Sequence, residues 1–427
     1  MNRGGPVVKD WPSTLKKKKM TDEQKKPEDA PILQKADPTV PFEVKAGDSV
    51  TEALGKMKNT GFQGRGLADC QDIWVKMIGD PTVTIWLGIA GALICAGMRE
   101  IFVWLIENRY VDVIVATGAI LTHDIDETLG GMHFKGSADG EDDNKLKEQE
   151  VDRLYDVYLH EPQLRNTEHN IRLMAEKIVP QGRPVTTREL FRLFGEYLQG
   201  NAKEGILTTA YRKGVPVYCP ALGDSVIGLA LASANHNEGK NYQIDIFGDV
   251  RETCLITDEV SKNTGVIYLG GGTPKNFIQQ TAYGMDEEAA SSHKYAIQLT
   301  QDMPNWGGLS GCTFGEAKSW GKIDSKADEK ICIVDVTIGL PMIASALAGV
   351  AGLRRAAVPD ISAKLDRLLQ QNDDPAQRYQ QKYPMPPTEA PQTTATSPAP
   401  TQQKSSTGSP YLERLRSRGS LPSAVEK

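Results

Sequence analysis

The 427-residue chain has no cysteine pair spaced C-x-x-C. Its six cysteines stand singly at positions 70, 95, 219, 254, 312 and 332. That excludes the common zinc and thiol–disulfide motifs, and no metal site is expected. Several cysteines lie in apolar runs, as in Ala92-Leu93-Ile94-Cys95-Ala96. They read as buried, reduced thiols of a cytoplasmic protein. Long apolar runs are lacking too. The two strongest, Ile85 to Met98 and Ile338 to Leu353, fall short of the ~20 residues a membrane helix needs, and both contain glycine or proline. They read as buried helices or strand–helix junctions, and no membrane partner is expected. The basic run Lys16 to Lys19 is not followed by an apolar segment, so no secretory leader is expected. Basic charge is not in excess: 49 Lys and Arg against 55 Asp and Glu give a net charge of −6. A nucleic-acid partner needs a concentrated basic surface and is not expected.

What is present is ordinary for a globular protein: 39% hydrophobic and 24% charged side chains. This suffices for one large core or two domains. Residues 1–40 are rich in Lys, Asp, Glu and Pro and read as a mobile arm. Residues 41–372 carry the folding pattern. Residues 373–427 turn to Pro, Thr, Ser and Gln, a composition that cannot bury a core and reads as a disordered tail.

Within the middle segment, short β-branched apolar runs alternate with helical patterns. The runs are Thr82–Leu87, Val111–Thr117, Val215–Cys219, Gln243–Phe247, Thr264–Leu269, Tyr295–Thr300 and Ile331–Val336. Continuous apolar character fits strands buried on both faces. Thr187 to Leu198 carries a helical apolar stripe. The expected fold is α/β, a Rossmann-like, doubly wound, mostly parallel sheet with helices on both faces. Ligands of such sheets bind at the carboxyl ends of the strands.

The residues after each run therefore matter most. Gly88 to Ala92 follows the first and is compatible with either tight packing or a pyrophosphate. Thr117-Gly118 ends the second, and His123-Asp124 lies just beyond. That pair reads as an acid/base couple or as a hydrogen-bonded loop histidine. Asp224 follows the third run, as a helix cap or as a holder of a ribose or an amine. Gly270-Gly271-Gly272-Thr273-Pro274-Lys275-Asn276 follows the fifth. Three glycines suit the close passage of a ligand or another chain, and Thr273 and Pro274 read as the cap and first residue of a helix. The spacing is neither a Walker loop nor G-x-G-x-x-G. Asp302 begins a Gly-rich loop that holds Trp306, Gly307, Leu309 and Gly311. Then comes Glu316-Ala317-Lys318-Ser319-Trp320-Gly321-Lys322. Most lysines are simply solvated. Here Trp320 offers an apolar wall and a cation-binding face. Desolvation beside it favours the neutral amine that attacks an imine or carbonyl.

The glycine triplet with Pro274-Lys275, then Gly311, Glu316 through Ile323 and the strand end at Asp335, resemble the deoxyhypusine synthase family. Thr60 to Arg65 and Leu87 to Glu100 fit the same family, so the likeness runs from about residue 45 to 355. It implies a homotetramer of Rossmann-like subunits, with NAD and spermidine held at dimer interfaces. The implied reaction is NAD-dependent aminobutyl transfer from spermidine, through an imine on the enzyme lysine, to a lysine of the translation initiation factor 5A precursor. Lys322 stands at the covalent lysine. Thr117, Gly118, Asp224, Asp302 and Asp335 are assigned to the nucleotide. Gly271, Asn276, Gly307, Glu316 and Trp320 are assigned to the polyamine. Asn276 replaces the histidine base of eukaryotic members, His123 replaces an acidic residue, and Leu229 and Leu309 replace pocket aspartates. Gly91 and Ala92 replace a serine and an asparagine. These changes resemble archaeal-type members and bacterial relatives. His123 is expected to take over proton transfer. Two other readings share the sequence features: aminobutyl transfer to putrescine or another small amine, as in homospermidine synthase, and a non-catalytic binding protein on the same fold.

Overall fold

Six apolar runs become one sheet in the computed structural model, which describes residues 30–139, 142–201, 203–261, 263–284, 291–355 and 360–370. The strands are β1 (Val83–Ile89), β2 (Val113–Ala116), β3 (Val217–Tyr218), β4 (Asn263–Leu269), β5 (His293–Thr300) and β6 (Ile323–Ile333). Every neighbouring pair is parallel, and the spatial order is β6-β5-β4-β1-β2-β3. Read from the other edge, this is the doubly wound order 3-2-1-4-5-6. All residues of β1 and β2 are buried, which is why they are apolar without alternation.

Alternate side chains feed two apolar layers. Ile85, Leu87 and Ile89 of β1 pack with Trp74, Phe102 and Leu340 on one face. Trp86 packs with Val266, Tyr268, Ile278, Phe314 and Leu365 on the other. Helices Phe62–Gly79, Arg99–Glu107, Gly118–Thr128 and Val336–Ala348 contribute to the first layer, and Gly272–Gln280, Phe314–Ser319 and Ile361–Gln370 to the second. The fold is doubly wound α/β.

Two expected strands differ. Gln243–Phe247 yields only Gln243–Ile244, paired with Pro184–Val185 in a separate ribbon. Asp245 ends it by capping helix Ile246–Leu255, accepting the Gly248 N–H at 2.7 Å. The last strand begins at Ile323, eight residues before the apolar run at Ile331. Its first half, Asp324 to Lys330, is polar because β6 lies at the sheet edge, where charge protects against pairing with another chain.

The chain divides into a unit ending at Gln371 and a second from Asn372 to Lys427. The second, and with it the expected tail, lies outside the described residues, as does the expected arm before residue 30. Residues 31–40 are exposed and include a single turn of helix, Pro31–Lys35. Among the described residues no helix is long and apolar enough to cross a membrane.

Candidate active site

The sheet order reverses between β1 and β4, and a crevice opens at that switch point. It encloses about 500 Å³ and is lined from Ala90–Leu93 after β1, Gly270–Gly272 after β4, Thr300–Asp302 after β5 and Asp335–Thr337 after β6. Gly270 and Gly272 have φ of +76° and +58°, a region that glycine enters without strain. At Gly271 space is limiting instead. A Cβ there would stand 2.6 Å from the Cα of Ser310. The Gly272 N–H donates to Ser310 Oγ at 2.8 Å, tying the glycine turn to the next loop. The helix starts at Gly272, ahead of the expected Thr273 cap, so Pro274 falls within its first turn. Helix N-termini of this kind offer unpaired N–H groups to an anion.

A second hollow of about 200 Å³ adjoins the same Ser310 loop. It is lined by Asn276, Gly307, Leu309, Glu316, Trp320 and Lys322, among others. The residues expected around the polyamine thus converge with Lys322, except Gly271, which lines the crevice. Lys322 is fixed through its backbone. Its N–H donates to Ala317 O at 3.0 Å and its carbonyl accepts His293 N–H at 3.1 Å. Its half-buried Nζ stands 5.7 Å from the ring centroids of both Trp320 and Tyr283. Glu316 sits in the first turn of helix Phe314–Ser319, whose Thr313 cap accepts its N–H at 3.0 Å.

The expected nucleotide residues divide. Asp302 and Asp335 line the crevice. Asp335 also caps helix Val336–Ala348 by accepting the Thr337 N–H at 2.8 Å. Thr117, Gly118 and Asp224 gather instead at the ends of β2 and β3. A Cβ on Gly118 would meet Ser225 at 2.4 Å, and Ser225, not Asp224, caps the following helix. The Asp224 carboxylate is left exposed. His123 lines neither hollow. Its Nδ1 faces His133 Nε2 at 3.2 Å, and burial, then His133, holds its pKa down at about 4. Asp124 is no partner to it. Asp124 accepts Ile206 and Leu207 N–H groups at 2.8 and 3.1 Å and Arg99 Nε at 3.2 Å. Gly91 and Ala92 line the crevice, Leu309 lines the second hollow, and Leu229 lies on an exposed helix face.

One residue escaped the sequence reading. Lys275 is fully buried behind the Ser310 loop. Its Nζ donates to Gln298 Oε1 at 2.8 Å, Ser310 O at 3.3 Å and Cys312 O at 2.6 Å. Gln298 Nε2 in turn donates to Gly270 O and Ser310 O, both at 2.8 Å. Burial pulls the Lys275 amine down to about 8. The signal was Gln298, a lone amide inside the apolar strand Ala296-Ile297-Gln298-Leu299, which needed a buried polar partner.

A family model described as deoxyhypusine synthase matches residues 52–347. The chain is 45% identical over 317 residues to a Methanosarcina mazei protein named probable deoxyhypusine synthase 2, covering 73% of this chain and 89% of the relative. It is 43% identical over 299 residues to an Archaeoglobus fulgidus protein of the same name, covering 69% and 96%. A Chlorobaculum tepidum deoxyhypusine synthase-like protein is 38% identical over 303 residues, covering 69% and 85%. Among solved structures, an Entamoeba histolytica protein assigned as a deoxyhypusine synthase shares the fold, with a TM-score of 0.53 at 18% identity over 73% of this chain and 97% of that one. The glycine turn, the Ser310 loop and the Lys322 hollow thus stand within the matched span, and this chain belongs to the deoxyhypusine synthase family.

Proposed function

We propose that the chain is an NAD-dependent transferase that moves an aminobutyl group from spermidine, through an imine on Lys322, to a lysine of the initiation factor 5A precursor. The observation that carries this reading is the convergence of Lys322, Trp320, Glu316, Asn276 and Gly307 on one hollow beside the glycine crevice. The crevice fits a dinucleotide: it lies at the carboxyl ends of the strands where the sheet order reverses, and a helix N-terminus faces it. Gly270 to Gly272 would hold the pyrophosphate, with Asp302 and Asp335 as acceptors for ribose hydroxyls. Thr117, Gly118 and Asp224 belong to the same proposed nucleotide set from the ends of β2 and β3. When bound, NAD supplies the redox step, taking a hydride from spermidine and returning it at the end.

The chain's own residues perform the transfer. Lys322 adds its amine to the oxidised carbon–nitrogen bond, 1,3-diaminopropane leaves, and butylamine remains as an imine on Nζ. The acceptor lysine displaces Lys322 by the same exchange, and reduction of the new imine fixes the product. Trp320 and Tyr283 cradle the cationic nitrogen. Glu316 balances its charge at the mouth. Asn276 positions it by hydrogen bonding, since an amide cannot take up the proton. His123 receives no proton-transfer role, because it lines neither hollow. Trp320, 61% exposed, and Trp306, 73% exposed, support a homotetramer in which a second copy covers these hollows. A cytoplasmic location accords with six unpaired cysteines.

A second reading keeps the Lys322 imine and changes the acceptor to putrescine or another small amine. Leu309 lines the hollow in place of a carboxylate, so amine recognition there differs from that of eukaryotic members, and the acceptor is decided by assay. Incubation with NAD, labelled spermidine and either acceptor separates the two. Label on the protein factor is the expected result, and homospermidine selects the second reading. Absence of 1,3-diaminopropane from both reactions defeats both. Lys322→Arg should keep NAD binding and lose transfer.

A further inference from the structure

Three side chains without a role in that chemistry meet beside the crevice. Cys95 comes from the loop after β1, His123 from helix Gly118–Thr128, and His133 from the segment that follows. Their ligand atoms, one sulfur and two nitrogens, all lie within 4.8 Å of one another. His133 Nε2 and His123 Nδ1 are 3.2 Å apart. Two nitrogens on one tetrahedral zinc ion, each at ~2.0–2.1 Å, stand about 3.3–3.4 Å apart. The two rings already hold nearly that spacing. They cross at 67°, so they are not stacked.

The surroundings are those of a built site. His133 Nδ1 lies 2.9 Å from Glu127 Oε1. Donation to that carboxylate leaves the Nε2 lone pair directed at His123 and Cys95, the arrangement that orients metal-binding histidines. Glu127 is steadied by Arg99, whose Nε is 3.8 Å from its second oxygen. Arg99 is itself buried and held by Asp124 at 3.2 Å and Thr128 at 2.7 Å. The His133 side chain is 5% exposed and Cys95 6%. We propose that Cys95, His123 and His133 form a binding site for a zinc-class divalent cation.

Thiolate with two imidazoles is a soft to borderline donor set. It selects zinc, cobalt or copper over magnesium and calcium. Three protein ligands leave a fourth position for water or for a group in the crevice that Cys95 also lines. The site has no sequence motif because its ligands stand at positions 95, 123 and 133, joined only by the fold.

The simpler alternative is a His123–His133 hydrogen bond with a bystander thiol. Titration of the chelator-treated, full-length protein with Co²⁺ distinguishes them. One equivalent should bind, with thiolate-to-cobalt charge-transfer absorption and the intense visible bands of four-coordinate cobalt, and Zn²⁺ should displace it. Cys95→Ser should remove the charge-transfer band. Glu127→Gln should weaken binding about 10- to 100-fold. Zinc-edge absorption spectroscopy of the wild-type protein, which needs no variant to fold, should find one sulfur and two nitrogen neighbours. An oxygen-only shell, no cobalt band, or a band that survives in Cys95→Ser overturns the proposal.

Discussion

The ammonium of Lys275 stands 2.6 Å from the carbonyl oxygen of Cys312, and so ties the helix after the glycine turn to the loop that walls both hollows. Lys275→Met keeps the stem against Tyr268 and Phe314 but deletes three donated hydrogen bonds. The expected loss is about 2–4 kcal/mol, because Gln298 Oε1 and Cys312 O lose their donor while Ser310 O keeps only Gln298 Nε2. The pH dependence has a definite sign. The folded amine titrates at about 8 and the unfolded one at 10.5. Between those values the unfolded chain holds a proton that the folded one has released, so stability contributed by Lys275 rises with pH across the window. Denaturant melts at the two ends should show the gap between wild type and Lys275→Met widening toward alkaline pH. A constant gap would remove the depressed amine from the account.

Gly271→Ala tests the crevice by crowding. The added methyl meets backbone at Ser310, 2.6 Å away, and backbone yields less readily than a side-chain tip. Overpacking of this kind costs about 1–3 kcal/mol. The Ser310 loop should shift, and NADH binding, followed by fluorescence, should fall with it. Unchanged binding in a folded Gly271→Ala protein would place the nucleotide elsewhere.

The sheet was legible where burial is two-sided. β1 and β2 announce themselves because none of their residues meets water. β6 hid its first half because Asp324 to Lys330 line an edge, where charge is favoured and apolar periodicity is not. The Lys322 hollow was legible through local neighbours, Trp320 and Glu316, that lie on the same short segment. Lys275 was not, because a lysine reads as solvated until Gln298 and two carbonyls from a distant loop are placed around it. Asp124 beside His123 suggested a couple, yet a helix turns adjacent side chains about 100° apart. Asp124 points to a neighbouring helix start and His123 to His133.

Trp320→Ala separates positioning from stability. The ring is 61% exposed, so its removal should change the unfolding free energy by no more than about 0.5 kcal/mol. Its face lies 5.7 Å from Lys322 Nζ. Such a contact contributes about 0.5–2 kcal/mol, or roughly two- to thirtyfold in rate. Borohydride trapping of the Lys322 imine should report that drop, with Trp320→Phe recovering part of it. Equal trapping in all three proteins would leave the tryptophan without a role in the chemistry.

Asp124 carries more of the fold than its neighbour His123. It is 1% exposed and serves three donors: Arg99 Nε and the first two N–H groups of helix Ile206–Lys213. Asp124→Ala removes the most buried carboxylate partner of the Arg99 guanidinium and uncaps that helix, for an expected cost of about 3–5 kcal/mol. Charge, not only hydrogen bonding, drives the loss, so the double variant Asp124→Leu with Arg99→Met should be less destabilised than the two single changes added together. The comparison also bears on the cation site, because Arg99 steadies Glu127 behind His133. If the single and double changes simply add, Arg99 and Asp124 act independently, and the frame behind His133 is held by the other partners of Arg99, Thr128, Glu127 and Glu100.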